Sequence, residues 1–139
     1  MNDIKAVLFD FDNTLVDYIR SDIIGLKSVM ELLPTKMNTN EFIEVSVEKI
    51  NEFHKQVKDG KEIPSNMHKY RLYNTLQYYS IEWDEQYLES YLKHYMESTA
   101  CFPLAEEVIR YLHGKVRLGI LTNAYDSEEQ RRRIKSTGI

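Results

Sequence analysis

At 139 residues, with 18 basic against 22 acidic side chains and a net charge of -4, the chain has the length of one domain and lacks the basic surface that a nucleic-acid backbone or an anionic membrane demands. A single cysteine, Cys101, excludes an internal disulfide and gives no sign of an oxidising compartment. The apolar run near the amino terminus is too short for a signal-peptide core and no stretch reaches membrane-spanning length, so a cytoplasmic protein is expected.

Residues 4–9 read as a short buried strand that ends on Asp10, Phe11, Asp12, Asn13 and Thr14. The period of 2 in extended backbone puts Asp10 and Asp12 on one side and turns Phe11 into packing. Two carboxylates in one pocket repel each other and invite a divalent cation; Mg²⁺ meets that need with one or two carboxylates, waters and substrate phosphate. Asn13 suits the left-handed backbone of a sharp strand exit, and the Thr14 hydroxyl can close the turn.

Helical spacing follows. Ile19, Ile23, Leu26, Met30 and Leu33 form a stripe that stops at Pro34. Asn38 and Glu41 make a capping-box pattern opening a helix with Ile43, Val47, Ile50 and Val57, ended by Asp59 and Gly60. Ser65 is placed to cap a helix bearing Tyr70, Tyr73 and Leu76, and Asp84 one bearing Leu88, Tyr91, Leu92 and Tyr95. These make a bundle of about four helices, in which the clustered tyrosines pack with their hydroxyls at the rim. Pro103 fits the first turn of a helix through Val108, Ile109 and Leu112. Residues 115–121 form a second strand, leading into Thr122 and Asn123, and Asp126 with Glu129 caps a last helix. Its run Arg131, Arg132, Arg133 reads as a solvated face near the helix end. His54, His68, His94 and His113 show no metal-ligand spacing and read as surface or partly packed.

The strand followed by Asp10, Asp12 and Thr14 resembles the first motif, Asp-x-Asp-x-Thr, of the haloacid dehalogenase-like hydrolase superfamily. The strand before Thr122 and Asn123 is similar to that superfamily's second motif. The resemblance implies an α/β fold: a Rossmann-like parallel-sheet core, built from 1–16 and 101–139 and incomplete in this chain, with an all-helical cap inserted over 17–100. The 112 positions between Asp10 and Thr122 exceed what a single crossover of about 30 residues needs, so the excess has to fold on its own.

The resemblance further implies a Mg²⁺-dependent phosphatase of small phosphorylated metabolites. Asp10 is then the nucleophile that forms an aspartyl-phosphate, and Asp12 the acid and base. The metal is held by the Asp10 carboxylate and the Asp12 carbonyl, and the phosphoryl group by Thr122, by Asn123 nearby, and by amides of the turn at Phe11. Asp12 favours phosphate esters, since the dehalogenase and phosphonatase branches lack an aspartate there. Phe11 stands where the P-type pump branch has lysine.

The third-motif lysine and the fourth-motif acidic pair have no counterpart; Lys135 lies inside the last helix and is not assigned the lysine's role. The expectation is that residues 1–139 alone are inactive, with an unpaired strand edge at Ala6 to Phe9. Such an edge self-associates or recruits a chain supplying the missing strands. The alternative is a non-catalytic binding or interaction module that retains half of the fold.

Overall fold

A computed structural model describes residues 3–139. The elements run β1 (Ala6–Phe9), α1 (Tyr18–Leu32), α2 (Thr39–Lys58), α3 (Met67–Tyr78), α4 (Glu85–Glu97), α5 (Pro103–Leu112), β2 (Arg117–Ile120) and α6 (Ser127–Ser136). The chain divides into two compact units. One ends at Ser21 and resumes over Ser98–Ile139; the other is Asp22–Glu97.

The first unit is α/β. Strands β1 and β2 pair in parallel with Ala6 opposite Arg117 and Phe9 opposite Ile120. Both strands are shorter than the apolar runs that announce them. Leu121 continues the pairing by one bond, its amide donating to the Phe9 carbonyl at 2.9 Å. Below the strand ends, Phe11, Leu15, Val16 and Ala105 are buried, with Phe9, Cys101, Phe102, Ile109, Ile120 and Ile134 packed against them. Pro103 occupies the first turn of α5, where its missing amide costs nothing. Asp126 caps α6, accepting from the amides of Glu128 at 2.9 Å and Glu129 at 3.0 Å. The two passes of the chain meet at a narrow neck. Phe102 N donates to Leu15 O at 2.9 Å, Asp17 N to Ala100 O at 3.3 Å and the Ser21 hydroxyl to Ser98 O at 3.1 Å.

The second unit is all helical. Asn38 caps α2 by accepting from Glu41 N at 3.0 Å, and Gly60 follows its end in left-handed backbone at φ 72°. The Asp84 side chain opens α4, accepting from Gln86 N at 2.9 Å. Before α3, a 3₁₀ turn at Pro64–Asn66 replaces the expected cap at Ser65.

The buried faces differ from the apolar stripes read in the sequence. In α2 the core side chains are Phe42, Val45, Ser46 and Phe53, while Val47 is exposed. In α1, Ser21, Asp22, Leu26, Ser28 and Val29 are buried and Ile19 is exposed; in α3, Tyr73 is exposed and His68, Arg71 and Thr75 are buried. Buried polar residues rotate these helices. The Arg71 guanidinium donates to both oxygens of Asp22, at 2.7 and 2.8 Å, and to the Ser46 hydroxyl at 3.0 and 3.1 Å. The Tyr91 hydroxyl donates to Asp22 at 2.6 Å. One fully buried cation thus joins α1, α2, α3 and α4, and a helix that must aim Asp22 or Ser46 inward cannot also bury a stripe one position away. Tyr87, Tyr91 and Tyr95 pack inside as expected, but the Tyr91 hydroxyl is buried against Asp22 and Arg71 instead of lying at the rim, because the buried carboxylate and guanidinium need its hydrogen bonds. His68 lies against the Tyr91 and Tyr95 rings, with centroids 5.1 and 5.3 Å away.

Gly25 marks the closest approach of α1 to α4. A Cβ there would stand 2.7 Å from two ring carbons of Tyr91. Gly25→Ala gains helix propensity but overpacks this contact, and is expected to lower stability by about 1 to 2 kcal/mol net. A urea midpoint that is unchanged or raised would show that the ring moves aside freely.

Candidate active site

The loop after β1 is shaped by local backbone chemistry. Asn13 adopts φ 58°, the left-handed conformation its side chain tolerates. The chain then folds back so that the amides of Thr14, Leu15 and Val16 converge on the Phe11 carbonyl, at 3.3, 2.9 and 3.2 Å, while Asn13 N donates to Val16 O at 2.8 Å. The Phe11 ring is fully buried. Its two flanking aspartates are left at the rim, Asp10 exposed and Asp12 half-buried. The Thr14 hydroxyl reaches back to Asp10 Oδ2 at 3.3 Å.

Strand β2 delivers Thr122, half-buried, and Asn123, exposed, to the same end of the sheet. The Thr122 hydroxyl donates to the Asn123 carbonyl at 3.2 Å and accepts from Gln130 Nε2, also at 3.2 Å. The same Gln130 nitrogen donates to Asp12 Oδ2 at 2.9 Å. Asp12 and Thr122, 110 positions apart in the chain, are thereby tied to one amide group.

Arg133 corrects the reading of the arginine run. Arg131 and Arg132 are exposed, but Arg133 is 1 % exposed and its Nη2 pairs with Asp12 Oδ1 at 2.8 Å. The physical reason is helix period. Ile134 is the one large apolar residue of α6, so the face that packs must carry its neighbours at one and four positions before it, Arg133 and Gln130. Reading outward from Ile134 would have found both.

The residues offer a cation oxygen donors of the kind Mg²⁺ takes. The Asp10 carboxylate is exposed, with only the long Thr14 contact, and among the described residues no main-chain amide donates to the Asp12 carbonyl. No group of three or more His, Cys, Asp or Glu suited to a metal occurs among the described residues. A set of one carboxylate and one carbonyl fits an ion that keeps several of its waters. Burial and the nearby Glu106 charge push the Cys101 thiol up from its ordinary range, which disfavours the thiolate.

Three comparisons bear on this arrangement. A family described as haloacid dehalogenase-like hydrolase matches residues 4–139. No curated protein sequence matches. Among solved structures, YfnB from Bacillus subtilis, bound to magnesium, superposes with a TM-score of 0.80 at 21% identity, covering 99% of this chain and 60% of that one. The L-2-haloacid dehalogenase PA0810 gives 0.74 at 18% identity, covering 97% and 58%, and the L-2-haloacid dehalogenase of Xanthobacter autotrophicus gives 0.67 at 20%, covering 97% and 52%. The chain therefore spans about three fifths of the length of these relatives or less, and the likeness carries the fold.

Proposed function

Since the chain belongs to the haloacid dehalogenase-like hydrolase family, we propose that it hydrolyses small phosphate monoesters with Mg²⁺, through an aspartyl-phosphate on Asp10. The observation that supports this over dehalogenation is Asp12. The second carboxylate sits beside Asp10 in the chain and shares Gln130 with Thr122, as needed by a reaction whose leaving alkoxide requires a proton.

An Asp10 carboxylate oxygen attacks phosphorus in line as the bond from phosphorus to the ester oxygen breaks. Asp12 delivers the proton that makes the departing oxygen an alcohol. Water then attacks the aspartyl-phosphate, giving a proton to Asp12, and inorganic phosphate leaves with Asp10 restored. Asp12 Oδ2 accepts one hydrogen bond from Gln130 and Oδ1 is ion-paired with Arg133, so the carboxyl retains acceptor capacity for this exchange. The Thr122 hydroxyl donates to the transferred group, where charge spreads over three oxygens. Phe11 contributes its main-chain amide, since its ring is buried, and Asn123 stands at the rim of the same site. The Asp10 carboxylate and the Asp12 carbonyl would hold Mg²⁺, which would supply neutralisation of the phosphoryl charge.

Assaying the full-length protein with Mg²⁺ against a panel of phosphomonoesters and L-2-haloacids decides the matter. Phosphate release supports the proposal; halide release without phosphate release makes the protein a dehalogenase, and neither product makes it a binding module. In an active protein, Thr122→Ala is expected to raise the barrier by about 2 to 4 kcal/mol, as for a single oxyanion donor, read as kcat/KM. A loss under about twofold would remove Thr122 from the phosphoryl site.

A further inference from the structure

We infer that Gln130 and Arg133 of α6 are positioning residues for Asp12, and that Arg133 fixes which way the Gln130 amide faces. The inference rests on the phosphomonoesterase reading for its kinetic consequence. The Arg133 guanidinium is engaged by all three of its nitrogens. Nε donates to Thr99 Oγ1 at 3.4 Å, Nη1 to Gln130 Oε1 at 2.9 Å, and Nη2 pairs with Asp12 Oδ1 at 2.8 Å. The carbon at its centre lies 5.4 Å from the Phe11 ring centroid and 5.8 Å from that of Tyr18. A planar group so placed between rings and acceptors has one orientation.

That orientation propagates. An amide side chain has an acceptor end and a donor end, and a guanidinium has only donors. With Oε1 held by Arg133, the NH₂ of Gln130 is obliged to face Asp12 Oδ2 and Thr122 Oγ1, where it stands at 2.9 and 3.2 Å. Both Asp12 oxygens are therefore gripped from one helix face, by residues one turn apart. The Thr122 hydroxyl accepts the second Gln130 hydrogen and turns its own proton to the Asn123 carbonyl, at 3.2 Å. Nothing in this chain of bonds supplies or removes a proton; it sets where the Asp12 carboxyl and the Thr122 hydroxyl point.

The test separates aim from folding. In full-length protein, Gln130→Leu keeps bulk and removes the donor, and Arg133→Lys keeps the charge and removes the fork. For a covalent mechanism kcat/KM reports steps through aspartyl-phosphate formation. Phenyl phosphate has a poor leaving group that needs the Asp12 proton, whereas 2,4-dinitrophenyl phosphate leaves without one. The ratio of kcat/KM for phenyl phosphate over the dinitrophenyl ester is expected to fall by about 10- to 100-fold in each variant, because a merely structural loss lowers both together. An unchanged ratio overturns the inference and leaves the phosphatase reading intact. If the unaltered protein hydrolyses neither ester, that reading fails instead, and the crystal structure of Gln130→Leu decides the inference. An Asp12 carboxylate turned away from its present direction supports it, and one that keeps its direction overturns it.

Discussion

Asp10→Asn is expected to lower phosphomonoester turnover by about 10⁴-fold or more, the scale on which losing a nucleophile as part of a working group is felt. The amide is nearly isosteric and Asp10 is exposed, so stability should stay within about 0.5 kcal/mol of the original. The turn at Asn13 and the convergence of amides on the Phe11 carbonyl do not involve the Asp10 side chain. What is lost is the attacking oxygen: an amide carries no charge and forms no stable phosphoryl adduct. Mixing with substrate and quenching in acid should give labelled protein for the original sequence and none for the variant. Turnover within about tenfold of the original in Asp10→Asn would exclude Asp10 as nucleophile and move the search to Asp12.

The second large effect is on stability. Asp22→Ala removes both oxygens that receive Arg71 and the one that receives Tyr91, leaving a guanidinium fully buried among helices. Breaking a buried pair from one side costs about 3 to 5 kcal/mol, because the remaining charge is uncompensated. The contrast with Lys69 and Glu85 is instructive. Their ion pair is as short, at 3.0 Å, but both side chains are more than half exposed, so its loss is expected to cost under about 1 kcal/mol. Urea denaturation followed by helical circular dichroism measures both. A loss under about 1 kcal/mol for Asp22→Ala would mean that Arg71 finds water or another acceptor in the variant.

The sequence carried the parts of the fold that local chemistry dictates. The caps at Asn38, Asp84 and Asp126, Pro103 in the first turn of α5 and the left-handed Asn13 each depend on a residue and its neighbours within a few positions. They are legible for that reason. The faces of α1, α2 and α3 were legible only in part: Leu26 and Leu76 are buried on the stripes as read, but apolar periodicity takes polar residues to be outside, and here Asp22, Ser46 and Arg71 point inward to partners up to 69 positions apart. The candidate site divides the same way. Asp10, Asp12 and Thr122 are marked by the strands that precede them. Gln130 and Arg133 look like members of a charged helix, and their role exists only once α6 has packed on Ile134 beside a loop more than a hundred positions earlier.

The neck formed by Leu15, Asp17 and Ser21 against Phe102, Ala100 and Ser98 makes the 76-residue excursion Asp22–Glu97 a closed loop in polymer terms. Closure entropy grows only as the logarithm of loop length, so doubling the excursion adds about 0.6 kcal/mol. The host lattice of strands and helices is thus nearly indifferent to how much chain is threaded through that clasp. Insertions or deletions within the excursion are therefore expected to cost the first unit little, as long as the clasp holds the carboxylate loop in register.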